Sequence, residues 1–154
     1  MRKSGAFLLV LVLVSSPTMA HAADHTVTAV AQRGQELMFF EPNFLRVTPG
    51  DTVTFVVDDL DHQPQSVFVP TGAKSWQAAK GQSITVELDA EGVYIFDCAY
   101  HNVMGMTGVI VVGEATNLVA AHDFYARYRE EAVFINRARL DPVWYLENSP
   151  LKLP

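Results

Sequence analysis

Cysteine is almost absent from this chain: Cys98 is the single one in 154 residues. No intramolecular disulfide can form, which excludes a small domain stapled by bridges. The C-x-x-C-H signature that attaches a c-type haem is missing too. Basic residues are few, 11 Lys and Arg against 17 Asp and Glu, so the positive surface that nucleic acid requires is lacking and nucleic acid is not an expected partner. Long apolar runs are confined to one place. Phe7 to Val14 is uninterrupted, but its eight residues fall far short of the roughly 20 that cross a bilayer. No second such run follows, so no membrane span is expected.

What surrounds that run has a different meaning. Arg2 and Lys3 make a positive start, and Ala20-His21-Ala22 supplies the small residues of an A-x-A cleavage site. Residues 1–22 therefore read as a signal peptide and predict export to the periplasm. Removing them leaves about 130 residues, enough for one core plus a tail. It also removes two of the basic residues and none of the acidic ones, leaving nine against 17. A lone thiol in an oxidising compartment invites cross-linking unless it is buried and ligated. Cys98 is thus the first residue expected to carry chemistry.

From residue 23 to residue 113 the chain is made of short apolar runs cut by turn residues. They are His25 to Ala31, Leu37 to Phe40, Phe44 to Val47, Thr52 to Val57, Ser66 to Val69, Ser83 to Leu88, Val93 to Cys98 and Thr107 to Val112. Several alternate with period two, and Pro49-Gly50-Asp51, Thr71-Gly72 and Glu91-Gly92 punctuate them, which is the pattern of strands and turns. An all-β sandwich or barrel of about eight strands follows. Residues 114–154 differ. Asn117 to Leu140 contains no Gly or Pro, and Leu118, Val119, Phe124, Tyr125, Tyr128, Ala132, Val133 and Ile135 recur at helix-like spacing before Pro142 is expected to stop the run. One long or two short helices docked on the sandwich are predicted.

Between the last two predicted strands runs Cys98-Ala99-Tyr100-His101-Asn102-Val103-Met104-Gly105-Met106. A thiolate, an imidazole and a thioether fall on one loop and can converge on one ion. A His₂Cys set with a weak axial Met suits copper cycling between its two oxidation states. The second histidine is best supplied by His62, in the long polar loop after the strand ending at Val57. His25 and His122 are weaker candidates, the latter reading as solvated helix surface. Either Met104 or Met106 could be the thioether on spacing alone.

These residues resemble the type 1 blue-copper cupredoxins and, within them, the pseudoazurins. The resemblance rests on Phe40-Glu41-Pro42, Val47-Thr48-Pro49-Gly50-Asp51-Thr52-Val53, the histidine loop, Gly92-Val93-Tyr94, the C-x2-H-x4-M-x-G loop and the helical tail. It implies a Greek-key β-sandwich holding one type 1 copper ion on His62, Cys98, His101 and Met106. His101 would be the partly exposed ligand and His62 the buried one. It implies a monomeric, periplasmic single-electron carrier rather than an enzyme, with a periplasmic redox enzyme or cytochrome as partner, a copper nitrite reductase among them. Copper delivery or storage by the same fold is the alternative. Met106 is preferred over Met104 because one residue, a Gly and a β run follow it, as in the family.

The chain also departs from the family pattern. Tyr100 stands where Pro usually precedes the second histidine, returning a backbone N–H to the loop. Gln63 and Gln32 replace Asn residues, so the clasp between the loops around the copper is expected to be rearranged. The family's ring of lysines is reduced to Lys74 and Lys80, while Asp58, Asp59, Asp61 and Asp97 lie near the ligands in sequence, which predicts an acidic docking face. A nucleophilic Cys–His enzyme is disfavoured, since the two residues share one loop and no orienting third residue is identifiable.

Overall fold

The computed structural model describes residues 22–58, 61–145 and 149–151. The signal-peptide reading, all but its last residue Ala22, and Asp59 of the acidic cluster lie outside the described residues. Eight strands form at the places the apolar runs mark: β1 (Asp24–Arg33), β2 (Glu36–Glu41), β3 (Phe44–Val47), β4 (Asp51–Val56), β5 (Pro64–Phe68), β6 (Ile84–Leu88), β7 (Gly92–Cys98) and β8 (Thr107–Val112). They make two four-stranded sheets, ordered β2-β1-β4-β6 and β3-β8-β7-β5. Two of the pairings, β1 with β4 and β3 with β8, are parallel.

Period-two alternation decides what faces inward. In β4, Asp51, Val53 and Phe55 are buried while the residues between them are not. In β7 and β8 every residue is buried, as expected when both faces of a strand are covered. Tyr94, Phe96, Cys98, Ile110 and Val112 face the opposite sheet, where Phe40, Val53 and Phe55 complete the core. Val93, Ile95, Val109 and Val111 face outward and would be exposed on a bare sandwich. They are covered instead by Ala121, Tyr125, Leu140, Val143 and Trp144 of the C-terminal segment. Burying each such side chain contributes about 1.5–3 kcal/mol.

That segment forms α1 (Leu118–Glu131), a 3₁₀ turn over Arg137–Leu140, and α2 (Asp141–Trp144). Asn117 docks the first helix as a strand residue would: its Oδ1 accepts the Val93 N–H at 2.6 Å and its Nδ2 donates to the Val93 carbonyl at 3.0 Å. The expectation that Pro142 stops the helical run is corrected here. Pro142 sits in the first turn of α2, where a missing N–H costs nothing because that position has no intrahelical acceptor. The chain breaks earlier, after Glu131, and Asn136 takes a left-handed φ of 55°, which Asn tolerates better than most residues.

At the start of the fold, the buried Asp51 carboxylate accepts hydrogen bonds from the backbone N–H of Ala23 (2.8 Å) and of Thr48 (2.8 Å), and meets His25 Nε2 at 3.0 Å. The Ala23 amide first, then Thr48 and His25, hold its pKa well below the usual carboxylate range. A depressed pKa contributes stability that is present above the unfolded value, about 3.9, and lost as pH falls through the folded value. Asp51→Asn is therefore expected to lower the melting temperature at neutral pH, with the gap to wild type narrowing as the pH drops below about 4. Thermal melts across that range check it, and parallel curves would refute it.

Candidate metal centre

Cys98 is the last residue of β7 and continues its inward series after Tyr94 and Phe96. Its backbone N–H donates to the Met106 carbonyl at 3.0 Å, extending by one step the ladder that pairs Asp97 with Thr107. Residues opposite each other in an antiparallel pair share a face, so Met106 faces the same core as Cys98, and both are fully buried. Met104 lies between them on a 3₁₀ turn, Asn102–Met104, partly exposed, with its carbonyl accepting from Asn136 Nδ2 at 3.1 Å. Inside the loop the His101 N–H donates to the Cys98 carbonyl at 3.0 Å.

The histidine loop meets this one at the start of β5. Pro64 pairs with Cys98, the Ala99 N–H donates to the Gln63 carbonyl at 3.0 Å, and the Gln63 N–H donates to Cys98 Sγ at 3.4 Å. His62 is thereby carried to the sulfur. Its Nδ1 lies 3.8 Å from Cys98 Sγ, and His101 Nδ1 lies 3.4 Å from it. The ligand atoms of His62, Cys98 and His101 all fall within 4.8 Å of one another. Bonds of about 2.0 Å to nitrogen and about 2.3 Å to sulfur, meeting at trigonal angles, separate such donors by about 3.7 Å. The two nitrogen–sulfur separations lie close to that value, so the three donors can share a single ion.

Burial grades the set: His62 and Cys98 are fully enclosed, whereas His101 is partly exposed. The two weaker histidine candidates are elsewhere. His25 is bound to Asp51, and His122 packs edge-on against the rings of Trp144 and Tyr145. The reading of His122 as solvated surface is thus only partly right, because α2 folds back over it.

Two glycines make the loop possible. A Cβ on Gly108 would lie 2.2 Å from the Phe96 ring, so the Gly after Met106-Thr107 lets that ring sit beneath β8. Gly105 has φ of +75°, and a Cβ there would meet the Ile135 and Asn136 carbonyls at 2.9 and 3.0 Å.

Asp97 is the one acidic residue of the predicted docking face that the structure removes from it. Its side chain points outward from β7, but α1 covers that face and leaves Asp97 buried. It accepts Tyr128 Oη at 2.5 Å and Gln65 Nε2 at 2.9 Å. Burial pushes its pKa up, and the two donors oppose that rise. Burial also pushes up Tyr128, with the Asp97 charge adding to it, which keeps the phenol a donor. Tyr100 is 52 % exposed and lies under the Lys80 ammonium, 4.9 Å from its ring centroid.

The two glutamines expected at the clasp between the loops bond separately. Gln32 turns to the Gly34 carbonyl in its own turn, and Gln63 Nε2 holds the Ala78 carbonyl at 2.8 Å. The residue that ties loops together is Arg139, which donates to the Leu37, Met38 and Gly105 carbonyls. Sequence reading missed it, and no local pattern marks an Arg in a helical tail as a partner of a loop 34 residues away.

The model of the copper-binding proteins of the plastocyanin/azurin family matches residues 25–113. The chain belongs to that family. It is pseudoazurin-like: it is 33% identical over 138 residues to the pseudoazurin of Methylorubrum extorquens, covering 87% of this chain and 89% of that one. It is 36% identical over 103 residues to the pseudoazurin of Paracoccus pantotrophus, covering 65% and 71%. The crystal structure of pseudoazurin from Methylobacterium extorquens AM1 superposes with a TM-score of 0.68 at 33% identity, covering 77% of this chain and 94% of that one. As a cupredoxin of this family the chain is an electron carrier, not an enzyme, and its cofactor is one type 1 copper.

Proposed function

We propose that His62, Cys98 and His101 hold the copper, with Met106 as the axial thioether, and that electrons enter and leave through the His101 ring. The observation that carries this is the convergence of two imidazole nitrogens and one thiol within 4.8 Å, enclosed except at His101. Copper supplies a reversible one-electron couple. The protein supplies soft and intermediate donors acceptable to both oxidation states, a framework that keeps them in place, and a shell that excludes water. The Gln63 N–H donates to Cys98 Sγ and ties the sulfur to the histidine loop.

Residues 23–113 would form the copper-binding unit and residues 114–154 an extension packed against it. Export to the periplasm is supported by the leader and by one contact at the proposed cleavage point. Processing after Ala22 would give Ala23 a free ammonium 2.8 Å from the buried Asp51 carboxylate, converting a hydrogen bond into an ion pair. The mass of protein recovered from the periplasm should correspond to a chain starting at Ala23; a periplasmic form retaining residues 1–22 would overturn the assignment. The partner would be a periplasmic oxidoreductase, with copper nitrite reductase the class the family resemblance points to, or a cytochrome.

The test is the visible spectrum of the exported protein with one equivalent of Cu(II), before and after ascorbate. An intense blue thiolate-to-copper band that bleaches and returns on reoxidation is expected. A colourless complex that gives up its copper readily would indicate delivery or storage instead.

A further inference from the structure

The side chain of Arg139 is only 11 % exposed, and at that depth a guanidinium must find acceptors for its donors. It finds them on two separate pieces of chain. Nη1 donates to the Met38 carbonyl at 2.6 Å and to the Gly105 carbonyl at 3.0 Å, and Nη2 donates to the Leu37 carbonyl at 3.1 Å. Nε lies 3.7 Å from Glu36 Oε1, and the guanidinium sits 5.9 Å over the Phe39 ring.

Both ends of this bridge are conformationally unusual. Met38 has a φ of 49°, rare for a residue with a side chain. The β1–β2 ladder pairs Phe39 with Val30 and Leu37 with Gln32 but skips Met38. The other end is the ligand loop. Val103 O accepts the N–H groups of Phe134 at 2.9 Å and Ile135 at 3.0 Å, Met104 O accepts Asn136 Nδ2, and Gly105 O accepts Arg139. Three successive carbonyls are thus held by residues 134–139, and the next residue is Met106. Within the loop the Met106 N–H has a longer bond, 3.3 Å to the His101 carbonyl.

We propose that Arg139 is a positioning residue for the copper site: by fixing the Gly105 carbonyl against β2 it sets the approach of the Met106 thioether, so the C-terminal extension tunes the reduction potential. This rests on the ligand set proposed above. An axial thioether is a weak, long bond whose strength tunes the potential, and a small release of the loop alters it more than it alters the trigonal ligands. Lysine cannot substitute, because a point charge does not span three carbonyls as a planar fork does.

The experiment compares full-length exported wild type, Arg139→Lys and Arg139→Gln, each copper-loaded and metal-free. Arg139→Lys keeps the charge but loosens the loop, so its potential should rise and the intensity ratio of its two visible charge-transfer bands should change. In both metal-free variants, amide exchange at Gly105 and Met106 should accelerate at least about tenfold, with β4 and β6 unaffected. Folded variants with wild-type potential, spectrum and exchange would overturn the proposal. So would a wild-type Arg139→Lys beside a shifted Arg139→Gln, since charge alone would then be acting. If Arg139→Gln fails to fold, Arg139→Lys carries the test. A wild type that never turns blue would sink the ligand set, whereas the metal-free exchange still reads the clamp.

Discussion

Cys98→Ser is expected to give a folded protein that never turns blue. The intense colour of a type 1 site comes from a covalent thiolate–copper bond, and a hydroxyl cannot replace it. Cys98 is fully buried between the sheets, so placing a hydroxyl there costs about 1–3 kcal/mol, a loss this core can absorb. Colour and fold should separate cleanly: the absorption disappears while the circular dichroism of the sandwich remains. Met106→Gln should behave differently, keeping a coloured copper complex but lowering its potential, because an amide oxygen is a stronger axial donor to Cu(II). Met104→Gln should leave both potential and spectrum close to wild type. A copper-loaded Cys98→Ser protein that is still intensely blue would refute the thiolate assignment. A potential that follows Met104 rather than Met106 would refute the axial one.

Trp144→Ala should lower stability by about 3–5 kcal/mol, the range for deleting a buried aromatic, and the melting temperature by about 10–20 °C. Trp144 is 1 % exposed and stacks on Tyr125 with centroids 5.1 Å apart and planes 13° apart. It shares a cluster with Val93, Ile95, Val109 and Val111 of the two strands that lead into and out of the ligand loop. Its indole Nε1 makes no hydrogen bond among the described residues, so its contribution is apolar area and stacking. Trp144→Phe should therefore recover most of the loss. At low temperature the Trp144→Ala protein should still bind copper, since no ligand is touched. Calorimetry of both variants checks this, and a loss below about 1 kcal/mol would mean that the extension is not an integral third layer.

Much of the proposed copper centre was legible in one stretch of chain. Cys98, His101 and Met106 lie within nine residues, and strand alternation through Tyr94 and Phe96 already aims Cys98 inward. Choosing Met106 over Met104 needed the family pattern, and the ladder bond from Cys98 to Met106 gives the same choice a geometric reason. His62 was placed by its position after a strand, without any local mark of ligation. All eight strands could be read because turn residues bound short alternating runs, and period two is a local property.

The tertiary structure decided what depends on residues far apart in the chain. Asp97 looks like surface charge in sequence, yet α1 closes over it and Tyr128 binds it. Pro142 looks like a helix stop, yet it opens α2. Arg139 has no mark in the sequence, yet it bridges β2 and the ligand loop. By itself, the sequence determined the compartment expected for the protein, the strands and the donor chemistry, because these follow from side-chain type and near-neighbour spacing. Which face of β7 is covered, and what holds the loop around Met106, were settled only by packing, because a buried acceptor selects its donor by distance in space and not by separation along the chain.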